Sequence, residues 1–94
     1  METFKKSLLN PNIIKAIKEL GFDYQTSIQE KIIPHLLTSE SDLIASAQTG
    51  TGKTAAFGLP IIQLTDTKDI NVQTLILCPT RELCMQIYKD LINF

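Results

Sequence analysis

Apolar positions recur along this chain in two ways, and each predicts a kind of element. Ile13, Ile14, Ile17 and Leu20 stand at helical spacing and put one apolar stripe on a helix. Asn10-Pro11 predicts its start. Asparagine caps, and proline is tolerated at the first helical position because its missing N–H has no partner there anyway. Gly21 predicts its end. A second helix is expected from Thr26 or Ser27 to about Leu37, with Ile28, Ile32, Ile33, Leu36 and Leu37 as its apolar face. Pro34 lies inside it and is expected to kink or break it.

Continuous apolar runs read differently. Asp42-Leu43-Ile44-Ala45-Ser46 reads as a short buried strand, as does Val72 to Cys78, centred on Leu75-Ile76-Leu77. Lys53 to about Gln63 reads as a helix containing Pro60. A last helix follows Pro79-Thr80, with Cys84, Ile87, Tyr88 and Leu91 on one face. Polar stretches at 38–41 and 65–71 read as connections. The expected order is α-α-β-α-β-α. Its second half, strand-helix-strand-helix, argues for an α/β fold of parallel β-strands flanked by α-helices.

Composition narrows this picture. The 94 residues are 44% apolar and 20% charged, which suits one small soluble domain and not a disordered or fibrous chain. Nine basic and ten acidic side chains give a formal net charge of −1, so there is no basic signature for nucleic acid or a membrane surface. The longest apolar runs fall far short of the roughly 18 residues that suggest a membrane span. No apolar signal segment follows Met1-Glu2-Thr3, so nothing suggests export. Cys78 and Cys84 read as reduced thiols of a cytoplasmic protein. With one histidine, His35, and no C-x-x-C pair, a zinc site is not expected.

The strongest chemical signal is Ala47-Gln48-Thr49-Gly50-Thr51-Gly52-Lys53-Thr54. It fits the phosphate-binding loop G-x-x-x-x-G-K-[ST], with Ala47 at the first glycine position. Gly50 and Gly52 let the backbone curl so that successive N–H groups ring the phosphates. The helix that follows adds its positive end. Lys53 supplies a point charge for the β- and γ-phosphates, and the Thr54 hydroxyl can ligate Mg²⁺. From average residue usage, the pattern arises by chance in a chain this long about once in a hundred. A Gly-rich turn with an exposed lysine is therefore the weaker reading.

The flanking stretches each support two readings. In Gly21-Phe22-Asp23-Tyr24-Gln25-Thr26-Ser27-Ile28-Gln29, the aromatics and an amide can form an adenine site. Equally, Thr26-x-x-Gln29 and Ser27-x-x-Glu30 have capping-box spacing, and a capped helix can still present its amide. In Pro79-Thr80-Arg81-Glu82-Leu83, Thr80 and Arg81 can hold a phosphate beyond a strand end, or Thr80 can simply cap the helix beside a solvated Arg81/Glu82 pair.

Taken together, GFDYQTSIQ, AQTGTGKT and PTRELCMQ resemble the Q motif, motif I and motif Ia of DEAD-box RNA helicases, in order and spacing. Alanine at position 47 is what that family normally shows. The resemblance implies a P-loop NTPase (RecA-like) fragment. Residues 1–94 would be the N-terminal portion of a helicase ATP-binding domain, truncated before the D-E-A-D motif, with the Q motif at about 2–30. The second RecA-like domain would be missing from this chain. It implies that Gln29 reads adenine, that Phe22 stacks on the base with Tyr24 flanking, and that Phe4 is the isolated upstream aromatic. Ala47, Gln48, Thr49, Gly50, Thr51, Gly52, Lys53 and Thr54 would hold ATP or ADP. Lys53 and Thr54 would be catalytic, and Thr54 would hold Mg²⁺. Thr80 and Arg81 would contact the RNA backbone without reading sequence. The near-neutral charge does not oppose RNA binding, because little of the RNA-binding surface would be present. Gln25 and Ser27 depart from the family's usual Pro-Thr-Pro-Ile-Gln, but Gln29 is intact and nucleotide choice is expected to be unaltered. Without the acidic motif, the chain is expected to bind nucleotide without turnover. The Gln29, GF and PTREL stretches argue against a DNA-directed P-loop ATPase.

Overall fold

The computed structural model describes residues 3–48 and 52–94. Thr49, Gly50 and Thr51 of the phosphate loop, and Met1 and Glu2, lie outside the described residues. The chain forms a 3-10 turn at Phe4–Lys6 and four α-helices: α1 Pro11–Glu19, α2 Ser27–Thr38, α3 Lys53–Leu64 and α4 Arg81–Asn93.

Local chemistry sets the helix ends. Asn10 caps α1 by accepting from the Ile13 N–H at 2.9 Å, with Pro11 at the first helical position. The helix stops at Gly21, whose φ of 94° suits a residue without a side chain. There the Phe22 N–H donates to Ile17 O and the Gly21 N–H to Lys18 O, both at 3.0 Å. This Schellman pair satisfies the last carbonyls and sets where Phe22 leaves the helix. Pro34 does not break α2, which runs on to Thr38.

The core gathers Phe4, Leu9, Ile17, Ile33, Ala55 and Leu59, so the lead-in segment, α1, α2 and α3 share it. The turn into α1 puts Leu8 at φ 71°, a left-handed conformation costing about 1–2 kcal/mol. Gln63, near the end of α3, brackets that residue: its Nε2 donates to Leu8 O at 3.3 Å and its Oε1 accepts from Asn10 N–H at 2.7 Å. α4 packs more loosely and has no buried residue. It approaches α3 at Gly58, where an added Cβ would lie 2.6 Å from Leu91 Cδ2.

The two expected strands do not form among the described residues. Segments 42–48 and 72–78 carry no ladder and do not pair with one another. The observed order is turn-α-α-α-α rather than α-α-β-α-β-α. Ile44 is 97% exposed and Leu77 84%, where buried strand residues were expected. A helix satisfies its backbone within itself, but a strand needs a neighbour's N–H and C=O groups. The only bridge described is antiparallel, Thr3 with Tyr24.

Candidate nucleotide-binding site

The site is built on the junction between the N-termini of α2 and α3. At α2 the capping box is complete: the Thr26 hydroxyl accepts from the Gln29 N–H at 3.5 Å, and Gln29 Oε1 accepts from the Thr26 N–H at 2.9 Å. This orientation leaves the amide nitrogen facing away from the cap. Gln29 Nε2 donates to the Gly52 carbonyl at 3.2 Å, across 23 positions of sequence. Capping and a role at the site, open alternatives in the sequence, are thus compatible in one side chain. Gln29 is 5% exposed, so its remaining amide capacity is held in place.

Gly52 is the N-cap of α3 with φ 85°. A Cβ there would lie 2.4 Å from Gln29 Nε2 and 3.1 Å from Thr26 Oγ1. Both the dihedral and the space therefore require glycine. Among the described residues no side chain caps α3, and its first turn has no acidic residue. That leaves backbone N–H groups and a positive helix end available to an anion. Lys53 opens this turn and is exposed; Thr54 beside it is half-buried. Ala47 is half-buried and Gln48 exposed on the approach to the loop. Lys53 also borders a cavity of about 510 Å³ between α2, α3 and 41–45, whose other walls include Ile32, Leu36, Phe57 and Ile61.

The aromatics form a second group. Phe22 and Tyr24 line a cavity of about 300 Å³ with Thr3, Phe4, Lys5 and Lys18. Phe22 is 39% exposed and meets Phe94 edge-on, with ring centroids 6.1 Å apart. Phe4 is buried in the core and gives this cavity a fixed wall. Sequence reasoning missed Gln25 as a contributor. It is buried, and its Nε2 donates to Thr3 O at 3.0 Å. Its only signal was that a polar residue occupies a position where the resembling pattern has proline.

Thr80 and Arg81 stand apart, at the start of α4. Thr80 Oγ1 accepts from the Leu83 N–H at 3.1 Å, so Thr80 is a cap, and Arg81 is exposed at the first helical position. Cys78 and Cys84 are both free thiols. Burial pushes the Cys78 thiol above its ordinary pKa, and the neighbouring Cys84 adds to the effect. Among the described residues no group of His, Cys, Asp or Glu side chains could hold a metal ion, and no helix is long and apolar enough to cross a membrane.

The chain is similar to known proteins in sequence and in backbone. A family model described as DEAD, DEAD/DEAH box helicase, matches residues 26–94. The chain is 52% identical over 91 residues to the ATP-dependent RNA helicase CshA of Listeria monocytogenes, covering 97% of this chain and 17% of that protein. It is 50% identical over 88 residues to CshA of Limosilactobacillus reuteri, covering 94% and 18%. Its backbone superposes on a DEAD box protein from Methanococcus jannaschii with a TM-score of 0.91 at 39% identity, over 99% of this chain and 25% of that one. It also superposes on Saccharomyces cerevisiae Dbp5 bound to RNA and ADP BeF3, with a TM-score of 0.92 at 34% identity, over 99% and 24%. These likenesses give the fold as RecA-like. The chain spans about a fifth of the length of the curated relatives it matches.

Proposed function

Because this chain belongs to the DEAD/DEAH box helicase family, we propose that it is the nucleotide-binding corner of an ATP-dependent RNA helicase. The observation that carries this reading is the Gln29–Gly52 junction, which ties the α2 cap to the N-terminus of α3. After its bonds to Thr26 and Gly52, the Gln29 amide keeps one N–H and one acceptor lone pair. Those are the groups that pair with adenine N7 and N6. Phe22 stacks on the base and Tyr24 flanks it. The loop from Ala47 to Thr54, including Thr49, Gly50 and Thr51, holds the phosphates of ATP or ADP, with Lys53 as the counter-charge.

The α3 terminus fits such a ligand: its first turn has no acid to repel phosphate, and Gly52 has no Cβ to fill the approach. The donor set also suits Mg²⁺, which is commonly bound by few protein ligands plus phosphate oxygens. Here the Thr54 hydroxyl is the protein ligand, and the ion supplies charge neutralisation on the β- and γ-phosphates when bound. Arg81 and Thr80 contact the RNA backbone.

In this reading residues 1–94 are the N-terminal portion of a RecA-like ATP-binding domain in a cytoplasmic protein, with the Q motif at about 2–30. Segments 42–46 and 72–78 become parallel strands when neighbouring strands pair with them. The whole protein hydrolyses ATP to remodel or locally unwind RNA. The 94-residue chain alone binds nucleotide without turnover. Calorimetric titration with ADP and Mg²⁺ tests this: heat that disappears in Lys53→Ala supports it, and no heat from the unmutated chain sinks it.

A further inference from the structure

We propose that Gln25 is a positioning residue for the base-stacking side of this site. It fastens the segment before α1 to the loop carrying Phe22 and Tyr24. The inference rests on the nucleotide-binding reading above and adds to it a residue that the motif pattern does not assign.

Gln25 is 2% exposed, and its Nε2 donates to the Thr3 carbonyl at 3.0 Å across 22 positions. Directly beside it, Thr3 and Tyr24 form the antiparallel bridge. The two segments so joined, Thr3-Phe4 and Phe22-Tyr24, line the same cavity of about 300 Å³. Phe4 is anchored in the core, so the bond and the bridge together hold the exposed Tyr24 against a fixed wall. The bonds then continue: the Thr26 N–H donates to Gln29 Oε1, and Gln29 Nε2 donates to Gly52 O. The lead-in segment is thereby connected to the helix start that receives phosphate.

A second observation separates positioning from mere support. Gln25 Oε1 is buried with no hydrogen-bond partner. A buried acceptor left unpaired costs at least as much as one neutral hydrogen bond contributes. Replacing the whole amide by an apolar group of similar length removes both effects together. The fold then loses little by the exchange, while Tyr24 is left to the Thr3 bridge alone.

Gln25→Met is the test, titrated with ADP and with inorganic pyrophosphate, both with Mg²⁺. The expected result is ADP affinity weakened roughly two- to tenfold, the reach of one neutral hydrogen bond, with pyrophosphate affinity and the urea midpoint unchanged. Equal ADP affinity in the two proteins overturns the proposal, and so does an equal loss for both ligands. No ADP heat from the unmutated chain overturns the nucleotide-binding reading itself. If Gln25→Met does not fold, Gln25→Glu replaces it. Its buried carboxyl donates to Thr3 O only when protonated, so its ADP affinity relative to wild type must rise as pH falls. A flat ratio overturns the proposal.

Discussion

Two helices of this chain, α3 and α4, each follow an apolar run, and their first turns are in opposite states. At α4 the protein answers its own backbone: Thr80 accepts from the Leu83 N–H, and Glu82 adds negative charge to the first turn. At α3 nothing among the described residues does so. Its N-cap is a left-handed glycine, no acid sits in the first turn, and a lysine opens the helix. Every helix leaves about four N–H groups unmatched at its start. A helix that caps them gains stability and loses them as ligand donors. One that leaves them open loses stability and keeps an anion site. The difference suits α3 rather than α4 to the phosphate-facing role proposed above. It also means that the Thr80 hydroxyl, if it contacts RNA, must share itself with a cap.

The comparison can be broken most forcibly at Gly52. Gly52→Ala must adopt a positive φ and displace Gln29 from its bond to residue 52. The expected outcome is a loss of about 2–4 kcal/mol in urea denaturation, together with loss of ADP binding by calorimetry. Retention of both would show that α3 tolerates an ordinary N-cap.

Lys53→Ala should separate binding from stability. It is exposed, so stability in urea denaturation should change by no more than about 0.5 kcal/mol. ADP affinity should fall roughly tenfold or more, as for loss of a charge-assisted bond. Arg81→Ala, the matching change at α4, should leave ADP affinity alone.

Thr80→Ala should behave in the reverse sense: about 1 kcal/mol of stability lost with the cap, and no change in ADP heat. Thr80→Ser should restore the stability. A Thr80→Ala protein as stable as wild type would show that the cap contributes nothing.

The smallest expected effect is in thiol reactivity around the start of α4. A raised pKa leaves less thiolate at a given pH, so Cys78 should be alkylated more slowly than the exposed Cys84 at pH 8. Mass spectrometry of partially alkylated chain reads the order, and the gap should narrow as the pH rises. Faster labelling of Cys78 would contradict the shift.

Much of this molecule was legible before its fold was known, and the reason is range. Asn10, Thr26 and Thr80 each accept from a backbone N–H three positions on, so the signal and its target lie in one short window. Gly21 ends α1 by bonds of the same reach. The phosphate-loop pattern is equally local, and Gly52-Lys53 stands at a helix start as its spacing requires. The strands were not settled this way. The apolar run at 72–78 states a tendency, but a ladder depends on a second segment, and none among the described residues pairs with it.

The amino-acid order alone thus marked the helix starts and the approximate helix ends, and carried the eight-residue phosphate-loop pattern. Only the tertiary structure decided that Gln29 caps α2 and also holds Gly52, that Phe4 is core, and that Gln25 is bound to Thr3. Each of those contacts joins side chains or backbone that sequence periodicity cannot bring together. They exist because packing Ile17, Ile33 and Leu59 into one core fixes α1, α2 and α3 relative to one another, and the long-range hydrogen bonds form where that packing leaves their partners within reach.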